Sequence, residues 1–201
     1  MVEAFVKKSK CHNSWGARHF GGYAGVKHTA KHIVAQVPNM SKYNTWVEPF
    51  SGLGRTAEYV RQNLTLILND KSEYANNYCK EHFPNAIVEN MDFMETINKY
   101  DSPTTFFLID PPWRYHAYSL NNLAFCDRKV VVYYRELLER IKTLQGDWFL
   151  LSDAAERENY HTLTKSGWGT RVVMSEKKVL FGLYAKTLIC SNLFIRSQPD
   201  I

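Results

Sequence analysis

The chemistry of this 201-residue chain is concentrated in one stretch, Phe106-Phe107-Leu108-Ile109-Asp110-Pro111-Pro112-Trp113. An apolar run delivers a carboxylate, and two prolines then hold φ near about −65° and remove two N–H donors. The resulting surface is rich in acceptors, namely the Asp110 carboxylate and the Pro111 carbonyl, with the flat face of Trp113 beside them. Such a set suits an exocyclic amine on an aromatic ring, which brings two N–H donors and a π surface. The plainer reading is a proline turn capped by a buried Trp.

A second stretch, Glu48-Pro49-Phe50-Ser51-Gly52-Leu53-Gly54, pairs an acid with two glycines one residue apart. Glycines there let the backbone turn tightly and approach a ligand. This is not the dinucleotide fingerprint G-x-G-x-x-G, because Ala57 stands in the third place. Asp70 closes the next apolar run, where a carboxylate can accept from two ribose hydroxyls or can cap the following helix. The pair points to a nucleoside-containing ligand. A phosphate clamp is not expected, since no Gly-rich loop with Lys is present.

These residues need a scaffold that brings strand ends together, and the hydrophobic pattern predicts one. Strands are expected at Thr45–Glu48, Leu64–Leu68, Ala86–Val88, Thr104–Ile109, Trp148–Leu151, Arg171–Met174 and Thr187–Phe194. Helical patterns lie between them, at about 55–62, 72–81, 93–99, 129–143 and 155–164. Such alternation implies an α/β fold, a largely parallel sheet covered on both faces, with the last two strands as a hairpin at one edge. Ligands bind such sheets outside the carboxyl ends of the strands. Glu48, Asp70 and Asp110 all fall there.

Composition fits one globular domain, with 45% hydrophobic and 22% charged residues. The expected organisation is a basic N-terminal arm over 1–20, a single domain over 21–195 and a tail over 196–201. A net charge of +5 permits an acidic partner such as nucleic acid. Cys11, Cys79, Cys126 and Cys190 are scattered without a C-x-x-C pair, which argues against zinc or a disulfide framework and for reduced intracellular thiols. No apolar run reaches the roughly 20 residues of a membrane helix. The N-terminal residues lack the roughly 7–15-residue apolar core of a secretory signal. The expectation is an intracellular protein: cytoplasmic, nucleoid-associated or viral, and away from membranes.

Several motifs together resemble a known family. Asp110-Pro111-Pro112-Trp113 after an apolar strand looks like the D-P-P-Y or D-P-P-W motif of amino-methyltransferases. Glu48-Pro49-Phe50-x-Gly52-x-Gly54 resembles the S-adenosylmethionine motif of the DNA adenine methylase (Dam-like) family. Gly22-Tyr23-Ala24-Gly25-Val26-Lys27 is similar to that family's K-W-A-G-G-K, with Gly22 for the first Lys and Val26 for the second Gly. Met91-Asp92-Phe93-Met94-Glu95 resembles D-F-x-E, the block Phe149–Asp153 resembles F-L-L-S-N, and Leu188–Asn192 resembles L-I-T-N. The blocks run in the family's order from Gly22 to Asn192.

The resemblance implies a Rossmann-like class I methyltransferase sheet with S-adenosylmethionine as cofactor. Cofactor-binding positions carried over are Tyr23, Lys27, Glu48, Pro49, Phe50, Gly52, Gly54, Asp70, Asp92 and Phe93, and the catalytic set is Asp110, Pro111, Pro112 and Trp113. The implied reaction is methyl transfer to the N6 amine of adenine in DNA, by a site-specific enzyme that flips the base against Trp113. One departure matters: Asp70 and Asp92 lie too close for the family's target-recognition insertion, so target choice would come from the flipped base and its immediate neighbours in the pocket, or from a partner protein that supplies the missing module. The same motif resembles RNA adenosine methyltransferases, and cytosine N4 has the same amine geometry. A nucleic-acid-binding subunit with this fold and no turnover stays as the reading from another class, although it would have no need of Asp110.

Target contacts are expected from Lys7, Lys8, Lys10 and Arg18 in the arm, with Trp15 among them. Arg114, Tyr115, His116, Tyr118 and Lys129 lie in a long polar stretch after the catalytic motif, of the kind that forms functional lids. The arm can equally be a solvated tail, and the tyrosines can merely pack that loop. His28 and His32 have a metal-like spacing but no third ligand nearby, and Tyr133-Tyr134 belong to a helix core.

Overall fold

The computed structural model describes residues 28–60, 63–111, 134–153, 168–180 and 183–194. Its centre is one seven-stranded sheet: β1 Thr45–Glu48, β2 Thr65–Asn69, β3 Ile87–Glu89, β4 Thr105–Ile109, β5 Asp147–Asp153, β6 Gly169–Leu180 and β7 Leu183–Ser191. The order is β3-β2-β1-β4-β5-β7-β6. Strands β1 to β5 pair in parallel, and β7 runs antiparallel to both β5 and β6. The predicted terminal hairpin is present, with the later strand placed inside it.

Side chains alternate between two apolar layers, as the strand period requires. Trp46, Phe106, Leu108, Phe149, Leu151 and Ile189 join one cluster. Their neighbours Val47, Phe107, Ile109, Trp148, Leu150, Leu188 and Cys190 join the other. Burial on both faces is why these strands read as continuous apolar runs rather than alternating ones. Helices supply the covers. Ile33 of α1 (Ala30–Val34) packs on the first layer. Cys79 of α2 (Glu73–His82) packs over Leu68. On the second layer lie Phe93 and Ile97 of α3 (Phe93–Tyr100) and Leu137 and Ile141 of α4 (Tyr134–Ile141).

The predicted helix over 55–62 is corrected by the structure. Among the described residues of that range, 55–60, only a short 3-10 turn, Ala57–Tyr59, forms, and Val60 returns to extended backbone. Val60 and Leu64 are buried in the first layer, so the chain leaves the helical path to bury them. The predicted helix over 155–164 and residues 129–133 of the long helix lie outside the described residues. Among the described residues no helix is long and apolar enough to cross a membrane.

The topology has a switch point. From β1 the chain goes outward to β2 and β3, then returns to lay β4 on the other side of β1. The carboxyl ends of β1 and β4 flank that point, where open parallel sheets form their ligand crevice.

Candidate active site

Glu48 ends β1 and Asp110 follows β4. Pairing of Trp46 with Phe106 and Val47 with Phe107 sets the register. Alternation then puts Glu48 on the face of Trp46, and Asp110 on the same face as Phe106 and Leu108. Glu48 is 3% exposed and accepts from Trp46 Nε1 at 2.9 Å. Burial pushes its carboxyl up to about 8; the Trp46 hydrogen bond opposes this, and the charge of Asp110 adds to it. Burial therefore favours the protonated form of Glu48. Asp110 is half-buried, and Pro111 behind it is buried.

The loop after β1 owes its shape to its glycines. Gly52 and Gly54 have φ of 50° and 65°, a left-handed backbone that other residues enter at a cost. A Cβ on Gly54 would stand 2.6 Å from the Phe83 ring. Gly54 N–H donates to Ser51 O at 2.8 Å, and Ser51 N–H donates to Asn69 O at 2.8 Å. The Cys79 thiol lies underneath, 3.4 Å from Gly52 O, and its burial pushes its pKa up to about 12. Cys79 is thus an inert packing group.

Asp70 meets this loop directly. Its carboxylate accepts from Gly52 N–H at 3.0 Å and from Ser72 N–H at 2.8 Å. Ser72, not Asp70, caps α2, accepting from Ala75 N–H. That removes the helix-cap alternative for Asp70 and leaves a carboxylate wedged between the glycine loop and the end of β2.

Asp92 and Phe93 close the third side. Asp92 caps α3, accepting from Met94 N–H at 2.9 Å, and pairs with Lys71 Nζ at 2.8 Å. Burial alone would raise its pKa, but Lys71 and the Met94 N–H outweigh that and hold it below the usual carboxylate range. Phe93 is buried and stacks on Phe50 with centroids 4.9 Å apart. Pro49 and Phe50 thus carry the β1 loop onto an apolar floor beside Asp92.

The structure therefore brings together Glu48, Pro49, Phe50, Gly52, Gly54, Asp70, Asp92 and Phe93 along the carboxyl edge, with Asp110 and Pro111 across from Glu48. Pro112, Trp113, Arg114, Tyr115, His116, Tyr118 and Lys129 lie outside the described residues, as do Lys7, Lys8, Lys10, Arg18, Tyr23 and Lys27. His32 sits 3.6 Å from Glu176, next to the Lys31–Glu176 pair.

One residue of this edge was passed over in the sequence: Asn69. It is 1% exposed and reaches both flanking loops through its amide. The available signal was a polar residue ending a strand that is otherwise apolar.

No protein-family model matches the chain, and no curated protein matches it by sequence. Solved structures do match. Magnesium protoporphyrin IX methyltransferase from Synechocystis, with bound SAM, is similar at 11% identity and TM-score 0.54 over 83% of this chain and 79% of that one. A methyltransferase from Geobacter sulfurreducens is similar at 13% identity and TM-score 0.53, over 82% of this chain and 76% of that one. A Thermoplasma acidophilum protein matches at 11% identity and TM-score 0.53, over 81% and 86%. The chain carries the Rossmann-like fold of these structures, two of which are methyltransferases.

Proposed function

We propose that this protein is an S-adenosylmethionine-dependent methyltransferase that modifies the N6 amine of adenine in DNA. The observation that carries the reading is the position of Asp110-Pro111, directly after β4 at the switch point and on the same sheet face as Glu48.

The residues present suit the cofactor. A nucleoside ribose needs a paired acceptor at the end of β2, where Asp70 stands locked by Gly52 and Ser72. Close passage of a ligand is favoured by the tight left-handed turn that Gly52 and Gly54 allow. The Phe50–Phe93 stack offers an apolar wall to an adenine ring, and Asp92 lies beside it to accept from an amine. When bound, the cofactor supplies an electrophilic methyl group on a sulfonium.

The chain's own residues handle the target. An aromatic amine is a weak nucleophile because its lone pair is delocalised into the ring. The Asp110 carboxylate and the Pro111 carbonyl accept its two N–H groups and draw the nitrogen toward tetrahedral geometry. These interactions strengthen as the lone pair is freed, so they act on the transition state more than on the bound base. Trp113 stacks on the extruded base, and the basic positions in the arm and after the motif hold backbone phosphate, which positions the protein but reads little sequence. Target choice comes from the flipped base and its immediate neighbours in the pocket, or from a partner protein.

Asp110→Ala tests the reading. Cofactor affinity by calorimetry stays within about twofold, and methyl transfer from labelled S-adenosylmethionine falls by more than tenfold. A residual rate above about a tenth would mean less than ~1.4 kcal/mol of transition-state stabilisation, too little for this role. Running the assay on DNA and on RNA decides the nucleic acid, since label entering only RNA overturns the DNA assignment.

A further inference from the structure

At the end of β2 the backbone ladder with β3 stops at the pairing of Asn69 with Glu89. The side chain of Asn69 continues it. Its Oδ1 accepts from Met91 N–H at 2.9 Å, and its Nδ2 donates to Met91 O at 3.2 Å. The amide thus meets residue 91 as a strand partner would, through both its donor and its acceptor. The same Nδ2 donates to Pro49 O at 3.0 Å, in the loop after β1. Both N–H donors of the amide and one of the two lone pairs of its oxygen thus face backbone groups.

Those groups belong to the two sides of the candidate cofactor site. Pro49 starts the glycine loop, and Met91 directly precedes Asp92 and Phe93. The two segments are remote in sequence, and besides this amide the Phe50–Phe93 stack joins them. Buried polar groups are kept when their partners are satisfied, since an apolar residue here would leave the Pro49 and Met91 carbonyls without this donor.

We infer that Asn69 is a positioning residue that sets the separation of the Pro49–Gly54 loop from the Met91–Phe93 segment, and through it the fit of the cofactor. The inference rests on the cofactor reading proposed above and deepens it. Asn69 does not touch the ligand in this account; Asp70, Asp92 and the Phe50–Phe93 stack do.

Asn69→Asp is the informative change, because it is isosteric. It keeps the acceptor for Met91 N–H and turns the donor into an oxygen facing two carbonyls. Protonating the new acid restores one donor, so the defect should shrink as pH falls. The ionisable groups around the site, Glu48, Asp70, Lys71, Asp92 and Asp110, are common to both proteins, so the ratio of variant to wild-type affinity is what counts. S-adenosylhomocysteine is the probe, titrated by calorimetry at pH 8 and pH 5.5, with hydrogen exchange over residues 49–54 and 91–94 followed in parallel.

The expected result is affinity at least about tenfold weaker at pH 8, a smaller ratio at pH 5.5, and faster exchange in both segments. Asn69→Ser, which removes the amide without adding charge, is the second variant should the first fail to fold at pH 8. It should show the weaker affinity and faster exchange without the pH recovery. Affinity within twofold of wild type in either folded variant overturns the inference, even if the melting temperature falls, for Asn69 then only stabilises. Lost affinity with unchanged exchange in both segments overturns it too. Failure of the wild type to bind the probe instead overturns the cofactor reading, while the exchange data still report whether Asn69 holds the two segments.

Discussion

Two buried acids stand at opposite ends of the same sheet, and their surroundings differ in kind. Asp147 begins β5 and accepts from Lys42 Nζ at 2.6 Å, Tyr43 OH at 2.7 Å and Asn192 Nδ2 at 2.9 Å. Burial raises its pKa, but these donors prevail and hold it below the ordinary carboxylate range. Glu48 ends β1 with the Trp46 indole as its donor, has no Lys or Arg partner among the described residues, and is pushed up to about 8. The amino-terminal end of the sheet is thus knitted shut by compensated charge. The carboxyl end keeps an acid in an environment that does not suit its charge. Uncompensated acids of this kind cluster where a ligand completes the surroundings.

Removing the compensated acid should have the largest effect. Asp147→Ala leaves the buried Tyr43 hydroxyl and Lys42 without their acceptor and should cost about 3 kcal/mol of stability in denaturant unfolding. Because the folded pKa is lowered, its contribution is present above the ordinary value of 3.8 and lost only as pH falls through the folded value. The deficit should therefore be flat from about pH 5 to pH 9. A deficit under about 1 kcal/mol would show that the amino-terminal network is decorative and would break the contrast.

Glu48→Gln should act in the opposite direction and should depend on pH. Between the ordinary 4.5 and the folded value of about 8, the native state holds a proton that the unfolded chain releases. Stability from this group is therefore full below 4.5 and declines as pH rises through 8. Gln keeps an acceptor for Trp46 and cannot ionise. The variant should match wild type at about pH 5 and exceed it by about 2 kcal/mol at pH 9, with relaxation around the charge reducing the full linkage value. Parallel stability curves for the two proteins across that range would mean Glu48 titrates normally.

Gly54→Ala sharpens the comparison by changing loop shape and no charge. Its left-handed φ and the nearby Phe83 ring should together cost about 1.5 kcal/mol, independent of pH. Equal or greater stability in the variant would show that the loop accepts a side chain there.

The sequence made the frame legible where the physics is local. The predicted β1 range was met residue for residue, and α2 and α3 start after side chains that can cap them, Ser72 and Asp92. It failed at 55–62, because the helical pattern there competes with burial of Val60 in a core that only the folded sheet creates. Acids at strand ends could be read directly, which placed Glu48, Asp70 and Asp110. Their differing environments could not be, since burial and partners depend on distant segments. Asn69 escaped for the same reason: its partners Pro49 and Met91 are remote in sequence and offer only backbone atoms.

The interleaving of β7 between β5 and β6 has a consequence for how the chain reaches this state. Strands β1 to β5 can pair in the order in which a ribosome releases them, apart from the return of β4 to β1. Strand β6 is made before its neighbour exists, so β5 presents an open edge until Leu183–Ser191 has emerged. An unpaired edge beside an apolar face is the surface most prone to wrong pairing during synthesis. The hairpin is the local unit, so β6 and β7 can form together and dock on β5 as one piece, closing a long loop in a single slow step. Docking also seats Ser191 Oγ on the Trp148 carbonyl, 2.7 Å away in the finished sheet, so the arrival of β7 completes the pairing of β5.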